Sequence, residues 1–91
     1  MDQRIESFVG DVLELAGEDP DVIRDEVRVA LGDYEAIFRA QEPNRRTRDQ
    51  AADACRTLCR ARVAEEFERH RETPIAEHLK LVLNVIDEHV R

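Results

Sequence analysis

Cys55 and Cys59 stand four residues apart, which on a helix puts both thiols on one face. Two thiols so placed could hold a soft metal ion or cycle as a redox pair. Redox sites use the C-x-x-C spacing, and a zinc tetrad needs two further ligands. The chain has only these two cysteines, and a disulfide inside a regular helix would be strained. The pair is therefore expected to be small, free, buried core residues.

The histidines are His70, His78 and His89. His78 and His89 are eleven residues apart, ~16 Å along a helix axis, too far to share one ion. His89 falls in the last turn of a helical segment, where a cation complements the dipole. The string AEHLKLVLNVI invites comparison with histidine phosphotransfer domains, which are also small acidic helical bundles. Those domains carry Lys three residues after the accepting His and then a small residue. Here Lys80 comes two residues after His78, and Leu81 stands where the small residue would be, so that activity is not carried over.

Other catalytic patterns are missing. Glu65 and Glu66 are adjacent and so point about 100° apart on a helix. No Glu-x-x-His of the kind that builds di-iron bundles occurs, nor a glycine-rich phosphate loop, nor a serine elbow. No enzyme activity, metal or cofactor is expected.

Charge distribution is more informative. Residues 1–43 carry twelve acids against four bases, a net of −8. Residues 44–62 carry six arginines against Asp49 and Asp53, a net of +4, and the remainder is −3. The positive segment begins with Arg45-Arg46-Thr47-Arg48 and continues through Arg56 and Arg60. These five arginines form a candidate patch for an anion or an acidic partner protein. The same side chains could instead pair with the acidic helices of their own chain. A whole-chain net charge of −7 argues against general coating of nucleic acid, which wants net positive charge. A nucleic-acid-associated regulator built on Arg45–Arg60 is the alternative function.

The elements that must position these residues are all helical. Ninety-one residues make one domain, 1–91. Three Gly and three Pro are too few for the turns of an all-β fold. The first helix, about 2–16, places Ile5, Phe8, Val9, Val12, Leu13, Leu15 and Ala16 on one face. Gly17 ends it, Asp19 caps the next and Pro20 opens it. The second, about 20–40, repeats Ile23, Val27, Leu31, Tyr34, Ile37 and Phe38 at 3–4 spacing until Pro43 intervenes. The third, about 45–71, is lined by Ala51, Ala52, Ala54, Cys55, Leu58 and Cys59, with Arg62 and Glu66 as an i,i+4 pair.

The fourth helix, about 74–90, is opened by Thr73-Pro74 and differs from the others. Its apolar residues, from Ile75 to Val90, cover an arc of about 220°. Such a helix is either central in its own core or covered by another chain. Large apolar patches are rare on soluble monomers, so Ile75, Leu79, Leu81, Val82 and Val85 are the expected surface of a homodimer. The short connections imply an antiparallel four-helix bundle. No apolar run approaches the ~20 residues of a membrane span, and MDQRIESF lacks a signal-peptide pattern, so a cytoplasmic location is expected. The bias of thirteen Arg against one Lys suggests a GC-rich bacterial genome. The functional expectation is a small non-enzymatic protein that acts through protein–protein contact.

Overall fold

A computed structural model describes residues 2–89. The helices are α1 (Gln3–Glu14), α2 (Pro20–Gln41), α3 (Arg48–Arg69) and α4 (Ile75–His89), with a short 3-10 turn (Arg45–Thr47) leading into α3. Val90, the expected end of the last helix, lies outside the described residues.

Helix boundaries follow local chemistry. Asp2 caps α1 by accepting the Arg4 amide at 2.9 Å, and Asp19 caps α2 by accepting the Asp21 amide at 2.9 Å. Between them Gly17 takes φ +94°, a left-handed value that costs an L side chain about 1–2 kcal/mol. Asn44 caps the 3-10 turn through the Arg46 amide at 2.9 Å. Thr73, expected to cap α4, instead directs its hydroxyl to the His70 carbonyl at 2.7 Å.

Side-chain pairings fix the antiparallel order. Arg4 of α1 reaches Gln41 and lies over the Phe38 ring near the end of α2, while Ser7 meets Tyr34 one turn earlier. On α3, Arg56 meets Glu35 of α2, and Asp49 meets Arg39. The helices α2, α3 and α4 pack pairwise on one another, and α1 lies against α2 and α3. The resulting bundle measures 42 × 26 × 20 Å.

The core takes its bulk from α1, α2 and α4, while α3 contributes mostly small side chains. Phe8 is fully buried and meets Tyr34 edge-on, with ring centroids 5.7 Å apart. The buried stripe of α3 is Ala52, Cys55, Cys59, Val63 and Glu66. Ala54 and Leu58, expected in that stripe, point outward, because a spacing of three and four from Ala52 selects the cysteines instead. Ile37 of α2 is likewise exposed, its place in the stripe taken by Glu35.

Helix α4 resolves its own apolar excess. Leu79, Val82 and Val85, expected on a dimer surface, are completely buried within the single chain, and Ile75 and Leu81 are half-buried. The polar strip Glu77, Lys80, Asn84, Asp87 and Glu88 faces out. Packing on both α2 and α3 covers an arc that a helix with one neighbour would leave bare. Leu79, Val82 and Val85 therefore offer no free face to a second chain.

Candidate functional site

The five candidate arginines divide into two groups. Arg56 and Arg60 are engaged within the chain. Arg56 donates through Nη1 to Glu35 Oε2 at 2.5 Å and also pairs with Asp53. Arg60 donates to Asp87 on α4 at 2.6 Å and 3.1 Å, and those hydrogen bonds hold the Asp87 carboxyl below its ordinary value. The patch is consequently shorter than its sequence span.

Arg45, Arg46 and Arg48 are different. All three are exposed at the 3-10 turn and the first residue of α3, and among the described residues they make no ion pair. Every other described arginine has a carboxylate within 4 Å. Three unpaired guanidiniums in four consecutive residues leave a compact positive surface on an acidic protein. Each offers a planar fork of donors suited to carboxylate or phosphate.

The arginines that are paired hold two buried carboxylates. Glu35, 5% exposed, accepts from Arg56 on α3 and bonds His89 Nε2 on α4 through its other oxygen at 2.8 Å. It thereby ties three helices together. Glu66, also 5% exposed, meets Arg62 and Arg69, each at 3.0 Å, and His70 at 3.4 Å. Arg62 extends this cluster to α1, donating to both oxygens of Glu6 at 2.6 Å and 2.8 Å. Its hydrogen bonds hold the Glu6 carboxyl below the usual range. The expected Arg62–Glu66 contact is thus one edge of a larger network. Glu35 stands outside the apolar stripe that the sequence assigns to α2. Its register was readable all the same, since it stands four residues after Leu31 and three before Phe38, both buried.

The cysteines and His78 serve the interior. The Cys55 and Cys59 sulfurs lie 4.0 Å apart, both thiols free and fully buried. The hydrogen bond from Cys55, and then burial, push the Cys59 thiol well up, away from the thiolate needed for nucleophilic or metal chemistry. Among the described residues no set of three His, Cys, Asp or Glu side chains converges in a metal-holding arrangement. His78 is buried, and its Nε2 donates to the Val12 carbonyl at 2.7 Å, tying α4 to the end of α1. That leaves Nδ1 buried without a partner among the described residues. A ring so enclosed is unlike the exposed histidine of a phosphotransfer domain.

One surface feature had no counterpart in the sequence reading. Between α1 and α2 runs a groove of about 360 Å³ whose lining includes Asp11, Glu14, Glu26 and Asp33 together with Leu15 and Val29. Val29 is 60% exposed, the most of any large apolar residue described. A valine beside acidic residues, three positions past Glu26 and four before Asp33, is the only signal the sequence carried.

No helix of the described chain is long and apolar enough to cross a membrane. Comparison with protein-family models, with curated proteins and with solved structures gives no match.

Proposed function

We propose that this is a non-enzymatic interaction protein that docks onto an acidic protein surface through Arg45, Arg46 and Arg48. The observation that carries the reading is that these three make no ion pair among the described residues, while every other described arginine has one. Intramolecular pairing satisfies a guanidinium wherever a carboxylate is in reach. Three left over side by side stay available to a partner, and their forks give it bidentate contacts.

An acidic protein suits this surface better than nucleic acid does. Losing Arg56 and Arg60 to internal pairs leaves a footprint of three charges, and the chain as a whole is at −7. A nucleic-acid duplex, which runs past the turn as a stiff rod, meets repulsion from the acidic first two helices. A short carboxylate cluster on a folded partner does not. Leu79, Val82 and Val85, three of the five residues expected at a homodimer surface of α4, are buried in the monomer core, which favours the turn as the contact.

Fluorescence anisotropy with labelled polyglutamate and with a labelled oligonucleotide tests the reading at low salt. Saturable binding of polyglutamate, lost in the Arg45→Gln/Arg46→Gln/Arg48→Gln triple variant, is the expected result. Tighter binding of the oligonucleotide, with the steep salt dependence of phosphate contacts, overturns the choice of partner. Binding of neither probe overturns the proposal itself.

A further inference from the structure

The ion-pair pattern leaves a second unbalanced surface, of opposite sign. From Asp11 to Asp33 the chain carries eight carboxylates, and among the described residues only Asp21 has an arginine partner, Arg24 at 3.3 Å. Four of the others, Asp11, Glu14, Glu26 and Asp33, line the groove between α1 and α2, and no basic residue lines it. Tyr34 donates a neutral hydrogen bond to Asp11 at 2.8 Å, which leaves the carboxylate charge uncompensated. Leu15 and the exposed Val29 give the same groove an apolar surface.

We infer that this groove receives the arginine turn of a second copy of the chain, so that copies join head to tail. The inference rests on the reading of the turn given above and names its acidic partner. Charge complementarity carries it: three unpaired guanidiniums on one surface face four unpaired carboxylates on the other. The apolar floor fits as well, because arginine lays its methylene stem along hydrophobic surface while the head stays at the polar rim. Val29 would be covered by such a stem.

Within one chain the two surfaces do not meet: no ion pair joins them among the described residues, and even Asp33, the lining residue nearest the turn in sequence, stands eight residues before Gln41, ~12 Å of axial rise at 1.5 Å per residue. The contact is therefore intermolecular and joins two different patches. A heterologous contact of this kind leaves a free turn at one end and a free groove at the other. Chains extend beyond the dimer unless the rotation closes a ring.

Sedimentation velocity on the full chain over a concentration series tests this, with two neutralising variants. One is Arg45→Gln/Arg46→Gln/Arg48→Gln; the other is Glu14→Gln/Glu26→Gln/Asp33→Asn. Every replaced side chain is exposed and makes no ion pair among the described residues, so helicity and Tm stay at the parent values. At low salt the parent is expected to form species larger than a dimer, which high salt disperses. Each variant alone stays monomeric. A mixture of the two forms a dimer and nothing larger, since it holds one intact turn and one intact groove per pair. A monomeric parent at every concentration overturns the inference, and so does a variant that assembles like the parent. If that monomeric parent still binds polyglutamate through the turn, only the second copy is lost as partner; if it does not, the docking reading fails with it.

Discussion

Arg56 Nη1 lies 2.5 Å from Glu35 Oε2, joining α3 to α2 at a carboxylate that His89 of α4 holds from its other side at 2.8 Å. A side chain assigned by sequence to an exposed basic patch is thus part of the internal frame. Removing one partner of a buried pair strands the other's charge, which costs about 3–5 kcal/mol. Arg56 keeps Asp53 and is 20% exposed, so Glu35→Ala should fall at the lower end of that range. Urea denaturation measures it, and a loss under ~1 kcal/mol, the worth of an exposed pair, would show that the three-helix tie is not formed.

Leu79 is fully buried, which separates the core role of α4 from a dimer role. Leu79→Ala should cost roughly 2–5 kcal/mol, the range for a truncated core leucine. Leu79→Glu should unfold the chain. If either variant keeps the parent Tm and changes only the sedimentation coefficient, α4 is an interface after all.

Acid should weaken the fold in a defined window. The Arg4 hydrogen bonds lower the Asp2 carboxyl from 3.8 to about 2, and Arg62 and Arg60 lower Glu6 and Asp87. A carboxyl with a lower pKa in the folded chain adds stability that is complete above its unfolded value. That stability disappears as pH falls through the folded value. The urea midpoint should therefore hold steady above pH 5 and decline from about pH 4.5 toward 2. Arg62→Gln should flatten the part due to Glu6, and an unchanged slope would remove that pair from the account.

The glycines give predictions of opposite sign. Gly10 and Gly32 lie within helices, at negative φ, with open space where a Cβ would go. Replacing either by Ala should stabilise by about 0.5–1 kcal/mol. Gly17→Ala should destabilise by about 1–2 kcal/mol, because the chain there needs φ +94°. Thermal unfolding of the three variants decides whether the α1–α2 turn has this form.

The fold was legible because each helix carries its own punctuation: Gly17, Asp19-Pro20 and Pro43 mark the breaks, and the 3–4 spacing marks the faces. Two features were not legible for a common reason. Whether an apolar arc is covered by its own chain, as at Leu79 and Val82, depends on how many helices surround it, and a helical wheel counts none. Which arginines stay free depends on partners far away in sequence: Asp87 lies 27 residues from Arg60, and Glu6 lies 56 from Arg62. The block Arg45-Arg46-Thr47-Arg48 was visible; that it alone would remain unpaired was not. Glu35 and Glu66 could have been found, since each sits on the buried register of its helix.

Free positive charge concentrated at Arg45, Arg46 and Arg48 is proposed to dock there onto carboxylates. The most direct test is an anisotropy titration with polyglutamate that compares two triple variants of equal net charge. One is Arg45→Gln/Arg46→Gln/Arg48→Gln; the other is Arg24→Gln/Arg28→Gln/Arg71→Gln, whose arginines are at the surface, Arg24 partly covered, and all paired. The first is expected to lose roughly tenfold or more in affinity while the second stays within about twofold of the parent. Equal losses in both would mean that net charge, and not the turn, governs binding, and would contradict the proposal.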